Sequence, residues 1–226
     1  MHIEPGVVEG AKIVLSYVTA AGALGYAAKT AMNAVRQDGV VPMVARCAIA
    51  TLLVFSFFQI LPHYAVGVSE VHLILGSSLF LIFGAGPAAI GLGLGLLLQG
   101  LFFSPFDLPQ YGMNVTTLLV PLFALNAMAR RVIPQKTAYK DLKYRQTLAL
   151  STAFQGGVVA WVAFWAFYGQ GFGAANLANV FSFGAAYALV IVVEPLIDLA
   201  VLATAKSLHQ LAESRLFHAR LYSAAS

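Results

Sequence analysis

The sequence has 226 residues, of which 60% are hydrophobic and only 10% are charged. Soluble proteins contain about 45–50% apolar and about 25% charged residues. This chain therefore cannot cover itself with polar surface, and its composition predicts an integral membrane protein. A membrane-spanning helix needs roughly 20 apolar residues, so the length leaves no room for a sizeable soluble domain. Most soluble enzymes and nucleic-acid-binding proteins are excluded, and the net charge of +4 is attributed to basic loops.

Apolar segments separated by glycine, proline and charged residues predict an all-α polytopic membrane protein with about seven transmembrane helices. The segment 71–103 is interpreted as two short helices or a re-entrant pair, because Gly84-Ala85-Gly86-Pro87 interrupts it. The other helices are expected at 7–34, 43–61, 114–133, 146–168 and 176–205. Residues 1–205 are thus predicted to form a single transmembrane domain, and residues 206–226 a basic amphipathic tail on the membrane surface.

The distribution of basic residues predicts the orientation of these helices. If the N-terminus lies outside and the C-terminus inside, only Lys12 falls on the outer side, and the inner side collects the remaining Lys and Arg residues, as the positive-inside rule requires. Those residues are Lys29, Arg36, Arg46, Arg130, Arg131, Lys136, Lys140, Lys143, Arg145, Lys206, Arg215 and Arg220. The chain opens without a basic segment or a small-residue cleavage site, so no cleavable signal peptide is expected.

The outer side then collects an acidic and histidine-bearing set of residues, namely His2, Glu4, Glu9, His63, Glu70, His72 and Asp107. Such a surface raises the local concentration of cations and offers nitrogen ligands. Taken one at a time, these residues have ordinary explanations as well. His2 can be part of a disordered terminus, His63 a solvated loop residue, and His72 the cap of the helix that follows it.

The first two residues together offer three nitrogen donors to one ion. They are the Met1 amine, the His2 backbone amide and the His2 ring, and they can form fused chelate rings. The amine has an ordinary pKa of roughly 7.7–8.0, so part of it is neutral near neutral pH. Nearly coplanar nitrogens, completed by another imidazole, suit Ni(II) or Cu(II), with Co(II) closely related. The turn-forming residues Glu4-Pro5-Gly6 allow this terminus to fold back toward the helices.

Several motifs in order resemble those of the CbiM/NikM family, the substrate-capture subunits of energy-coupling-factor transporters for cobalt and nickel. They cover approximately residues 1–205. The motifs are Met1-His2-Ile3 with Gly6, Ser69-Glu70-Val71-His72 with the later Gly84-Ala85-Gly86-Pro87, Gln99-Gly100-Leu101-Phe102, Gly112-Met113-Asn114 and Val193-Glu194-Pro195-Leu196. The family has one residue between the serine and the histidine, whereas two separate Ser69 from His72 here.

The resemblance implies a metal held by the Met1 amine, the His2 amide and ring, and the His72 ring. Asn114 would orient these ligands and order the terminal loop. Ser69, Glu70 and His63 are further candidates for such a role or for an extra ligand. The implied fold is the six-helix substrate-capture bundle plus one N-terminal helix.

The resemblance also implies a role in transport. Co²⁺ or Ni²⁺ would be the substrate rather than a permanently bound cofactor, and the location would be the bacterial inner membrane. The implied partners are a coupling transmembrane subunit and cytoplasmic ATPase subunits, to which a small accessory membrane subunit can be added. This chain shows no phosphate-binding loop and is predicted not to be an enzyme. Its Gly91-Leu-Gly-Leu-Gly95 run is attributed to close helix packing.

Two alternatives remain open at this stage. Glu194 and Asp198 lie four residues apart on one helix face, and Gln99 also lies in a membrane segment, so these residues are candidates for coupling. A proton- or cation-coupled secondary carrier would use the acids as a relay. Their depth instead favours pairing with inner basic residues such as Lys206 or Arg46. A non-transporting scaffold is the second alternative, and it would not need an exact amino terminus.

Overall fold

The computed structural model describes residues 2–134 and 137–212 of the chain. Within these residues it contains seven α-helices and one two-stranded antiparallel hairpin. The helices are α1 (Ile13–Asp38), α2 (Val40–Ile60), α3 (Gly76–Phe83), α4 (Ala85–Phe102), α5 (Tyr111–Val132), α6 (Tyr144–Gln170) and α7 (Ala174–Ala212). The strands are β1 (Tyr64–Val66) and β2 (Ser69–Val71). The prediction of an all-α polytopic membrane protein is confirmed.

In the part of the chain that the structure describes, six helices are long and apolar enough to cross a membrane. The exception is α3, whose 8 residues rise only about 12 Å. It continues the path of an extended segment that begins at His72. Together the segment and α3 connect the end of the bundle that holds the hairpin with the opposite end. The predicted break is confirmed, because Gly84 separates α3 from α4 with a φ of 87°.

The contacts of Gly84 define that opposite end of the bundle. Gly84 lines a cavity of about 220 Å³ with Asp38, Arg46 and Arg130. Lys206 lies at the same end, where its Nζ donates to the Lys140 carbonyl at 2.5 Å. Lys12 lies at the hairpin end, and its Nζ donates to the carbonyls of residues 168 and 169. Arg46, Arg130, Lys140 and Lys206, all predicted on the inner side, therefore share one end.

Glycines in α4 allow it to pack closely against α2. A Cβ added at Gly91 would lie 2.5 Å from the Ala50 Cβ, and one added at Gly95 would lie 2.6 Å from Val54 Cγ1. These distances are far below van der Waals contact, so only glycine permits this approach. The structure agrees with the interpretation of the glycine run as a packing surface rather than a nucleotide-binding loop.

Helix boundaries differ from the predicted ones where the chain forms other contacts. α1 begins at Ile13 rather than at residue 7, because residues 2–9 leave the helical path to join the hairpin. The left-handed Gly6, with a φ of 90°, turns the chain there. α7 continues to Ala212, seven residues beyond the predicted helix end at 205. Residues 213–226, which make up the rest of that predicted tail, lie outside the described residues.

Candidate metal site

The first described residues form an extended segment beside the hairpin, called the terminal strand below, which pairs with β2 through a single bridge. Ile3 makes an antiparallel bridge with Ser69. The Glu70 backbone N–H donates to the His2 carbonyl at 2.9 Å, and the Ser69 hydroxyl donates to the same carbonyl at 2.8 Å. On the other side of the bridge, the Glu4 N–H donates to the Val68 carbonyl at 3.1 Å. This pairing places the His2 side chain on the inner side of the hairpin.

Two contacts with other helices hold this strand in the bundle. The Asn114 Oδ1 atom accepts a hydrogen bond from the Ile3 backbone N–H at 2.8 Å, and Asn114 is itself buried at the start of α5. Val7 lies against Gly169 of α6, where an added Cβ would be 1.9 Å from the Val7 carbonyl oxygen. Asn114 thus holds the Ile3 backbone against α5. The Met1 amine of the predicted donor set lies outside the described residues.

The strand brings His2 together with two residues that follow it by nearly seventy positions. One carboxylate oxygen of Glu70, Oε2, lies 2.7 Å from His2 Nδ1 and 2.7 Å from His72 Nε2. The ligand atoms of these three residues all lie within 4.8 Å of one another. The centroids of the two imidazole rings are 5.4 Å apart. A single ion placed among them can contact both rings and the carboxylate.

The two imidazoles of the cluster are almost completely withdrawn from solvent. His2 is 3% exposed and His72 is 1% exposed, whereas Glu70 is half-buried. Phe58 at the end of α2 is fully buried and packs against both rings, with centroid distances of 6.0 Å to His2 and 5.1 Å to His72. An ion here would exchange its water shell for protein ligands, because the aromatic wall leaves little room for water.

Burial sets the protonation of the cluster. It lowers the pKa of the His2 imidazole and lowers that of His72 well below its ordinary value, because a charged ring is poorly solvated there. Burial alone would raise the pKa of Glu70. The hydrogen bonds from His2 and His72 outweigh it and hold the pKa of this carboxyl well below its usual range. The three groups are therefore two neutral imidazoles and one carboxylate, which are the forms that ligate metal ions.

The tautomers of the rings follow from these hydrogen bonds. A neutral imidazole carries one N–H, and the contacts with Glu70 place it on His2 Nδ1 and on His72 Nε2. The remaining nitrogens, His2 Nε2 and His72 Nδ1, are buried without a hydrogen-bond partner among the described residues. Asp107 Oδ2 lies 4.0 Å from His2 Nε2. If an ion binds His2 Nδ1, the ring proton moves to His2 Nε2, where it faces the Asp107 carboxylate.

His63 is the other histidine predicted at this end. Its exposed ring stacks on His72 with a centroid distance of 4.8 Å and an interplanar angle of 11°. Its Nδ1 donates to the Leu61 carbonyl at 3.2 Å. His63 thus covers the His72 ring at the surface, and its ring is not a member of the ligand cluster.

Gln99, Glu194 and Asp198 do not belong to the cluster of His2, Glu70 and His72. Gln99 is buried in α4, and its Oε1 atom has no hydrogen-bond partner within the described ranges. The prediction that Glu194 and Asp198 pair with Lys206 or Arg46 is wrong. Glu194 accepts hydrogen bonds from the Ile74 and Leu75 backbone and from Gln155, and Asp198 accepts them from the Ser77 and Ser78 hydroxyls.

The reason for this difference lies in the segment between His72 and α3. Its residues belong to no helix, so their N–H groups have no helical acceptor, and Glu194 of α7 accepts hydrogen bonds from two of them. Arg46 instead forms an ion pair with Asp38 at 2.5 Å.

Three features of the site were not identified from the sequence. They are the strand formed by the first residues, the Phe58 wall and the position of Asp107 beside His2. The sequence predicted Asp107 on the same side of the membrane as the histidines. It did not predict which histidine ring Asp107 would face. Phe58 had no signal, since it is one of three phenylalanines in the apolar helix α2.

The described residues thus form an all-α membrane bundle with a buried histidine–carboxylate cluster at one end. Two solved structures described as a transition metal transporter and a truncated transition metal transporter share its fold. The first is 19% identical, covers 98% of each chain and has a TM-score of 0.66. The second is 18% identical with a TM-score of 0.65, and covers 94% of this chain and 99% of the other. No curated protein matches the sequence.

Residues 2–210 match the model of the CbiM family, described as the cobalt uptake substrate-specific transmembrane region. The chain belongs to this family. It is accordingly a multi-pass membrane protein of a metal transport family rather than of an enzyme family.

Proposed function

We propose that this protein captures one divalent transition metal ion, Co²⁺ or Ni²⁺, at the outer face of the bacterial inner membrane. It would deliver the ion for ATP-driven uptake as the substrate-specific component of an energy-coupling-factor transporter. The observation that carries this proposal is the buried cluster of His2, Glu70 and His72 at one end of the bundle. Neutral imidazoles in a dry cleft suit late first-row divalent ions such as Co²⁺ and Ni²⁺.

The proposed donors are the Met1 amine, the His2 amide and Nδ1, and His72 Nε2. When the ion takes His2 Nδ1 and His72 Nε2, the N–H hydrogens that these atoms now direct at Glu70 move to the opposite ring nitrogens. The protons that binding releases come from the Met1 amine and the His2 amide. Glu70 then either turns its carboxylate to the ion as an additional ligand or neutralises its charge from close by. Asn114 and Ser69 keep the terminal strand in place through their hydrogen bonds to Ile3 and His2.

Release of an ion from such a cluster requires the hairpin and the terminal strand to separate, and we assign the energy for this step to partners. They are a coupling transmembrane subunit and cytoplasmic ATPase subunits, with a small accessory membrane subunit as a further candidate. The basic end of the bundle would face the cytosol and these subunits. No permanently bound cofactor is required, because the metal is the substrate.

The direct test is titration of the purified protein with Ni²⁺ and Co²⁺ in detergent, followed by uptake in proteoliposomes. We expect one ion per chain, with an absorption spectrum typical of a nitrogen-rich tetragonal site. Uptake should require the partner subunits and ATP. Uptake driven by a proton gradient without ATPase subunits would instead identify a secondary carrier. Absence of any binding would favour a scaffold and contradict the proposal.

Replacement of Glu70 by glutamine is expected to weaken Ni²⁺ binding by about tenfold or more. The carboxylate oxygen lies 2.7 Å from both ligating nitrogens, and a partly buried charge at about 4 Å from an ion contributes a few kcal/mol even at an effective dielectric constant near 20. Isothermal titration would measure the change. The matched control is Glu9→Gln, which removes an exposed acid at the same end and should leave the affinity unchanged. Equal or tighter binding by Glu70→Gln would show that Glu70 only competes with the ion.

A further inference from the structure

The segment that follows His72 has an unusual backbone. Residues 72–75 belong to no helix or strand, and Leu75 is the single non-glycine residue with a positive φ among the described residues, at 53°. A left-handed conformation is unfavourable for leucine, so surrounding contacts must hold it. The N–H groups of Ile74 and Leu75 also precede α3 and have no acceptor within that helix. This segment therefore depends on groups from elsewhere in the fold.

Glu194 of α7 provides both acceptors. One of its carboxylate oxygens accepts from the Ile74 N–H, and the other accepts from the Leu75 N–H at 3.0 Å and from the Gln155 side-chain amide. Glu194 is fully buried. All of these partners are N–H donors, which is the set that a carboxylate requires. A carboxylate at the beginning of α3 is also favourable for the helix dipole.

The same face of α7 also contacts the chain that follows Leu75. Asp198, one turn after Glu194, accepts hydrogen bonds from the hydroxyls of Ser77 and Ser78 in the first turn of α3. The network extends into the core, because Gln155 Oε1 accepts from the Tyr187 hydroxyl at 2.7 Å. Two buried acids on one helix thus fix the chain on both sides of its strained residue.

We infer that Glu194 and Asp198 are positioning residues of the metal site, which hold the chain after His72 in the path that directs its ring at His2. This inference rests on the proposed function. Ile74 follows His72 by two residues, so a shift of the segment moves the ring directly. The inference also explains two buried carboxylates that no described basic side chain neutralises through an ion pair.

The test compares Glu194→Gln and Asp198→Asn with the wild type in the full-length protein in detergent. The control is Thr117→Val, which removes a buried hydroxyl that bonds only within its own helix. We expect Glu194→Gln to weaken Ni²⁺ binding by about 10–100-fold, the usual effect of losing a group that orients a ligand. The ligand-field bands of bound Ni²⁺ should also shift in Glu194→Gln, because the His72 ring would change its orientation toward the ion. Asp198→Asn should act in the same direction, and Thr117→Val should change neither property.

Hydrogen exchange supplies a readout that does not depend on metal or on a folded variant. In the wild type, the amides of Ile74 and Leu75 should be strongly protected although they lie outside any helix. Fast exchange at these amides would overturn the inference. So would wild-type affinity and an unchanged spectrum in a folded Glu194→Gln protein. After either of these results, Ni²⁺ binding by the wild type would still support the proposed function. If the wild type bound no Ni²⁺, the proposed function itself would be contradicted.

Discussion

One additional residue before Met1 is expected to abolish tight Ni²⁺ binding, and His2→Ala should do the same. The extension converts the proposed amine ligand into an amide and displaces the chelate, while the substitution removes the ring nitrogen. Structural metal sites with four ligands have apparent binding free energies of about 10–16 kcal/mol, or roughly 3–4 kcal/mol for each ligand. Loss of one donor therefore corresponds to a decrease in affinity of about two to three orders of magnitude.

Isothermal titration and metal analysis of the purified variants would measure this effect. A matched control is an extension of the same length at the C-terminus, which leaves the terminal strand intact. The strand should still form in His2→Ala, because the hydrogen bonds of residues 2–4 with the hairpin are made by the backbone. If either variant bound Ni²⁺ as tightly as the wild type, the terminal chelate would be wrong. The cluster of Glu70 and His72 would then need other partners.

His72→Ala is expected to weaken Ni²⁺ binding by about two to three orders of magnitude for the same reason. His72 is 1% exposed, and its Nε2 lies within reach of an ion that His2 also contacts. Glu70 loses one of its two imidazole partners in this variant, so the protein should also be less stable. The thermal unfolding midpoint should be measured beside the affinity, so that binding is tested where the variant is folded.

The control for this prediction is His63→Ala. It removes an imidazole whose ring is stacked on His72 at 4.8 Å but is exposed. We expect the affinity of the His63→Ala protein for Ni²⁺ to change severalfold at most. If His63→Ala lost affinity and His72→Ala kept it, the ligand assignment of these two histidines would be reversed.

The arrangement suggests how a site at one end of the bundle is connected to the other. His72 begins the extended segment, α3 continues it, and Gly84 ends it beside the Arg46–Asp38 pair and Arg130. The segment and α3 form one continuous path between the two ends. A partner that bound at the Gly84 end would therefore act on the same piece of chain that carries a metal ligand.

The candidate site was predictable only in part. His2 and His72 stood out because histidines are scarce in this chain and because the order of motifs resembled a known family. The role of Asn114 in orienting the ligands stays a prediction from the same resemblance, and the structure gives Asn114 a hydrogen bond to the Ile3 backbone. The partner of Glu194 was not predictable from helix depth, because depth says nothing about an extended segment from another part of the chain.

By itself, the sequence determined that this protein is a helical membrane bundle interrupted at Gly84. Hydropathy and the positions of turn-forming residues are local features of the sequence. They predict helices and breaks without information on which elements pack together. Only the tertiary structure decided that the first residues pair with the hairpin, that one oxygen of Glu70 faces both imidazoles, and that α7 holds the segment after His72. Apart from the one between Glu70 and His72, these contacts join residues about seventy or more positions apart. They depend on which backbone groups lack partners once the helices have packed, and that is a property of the whole fold.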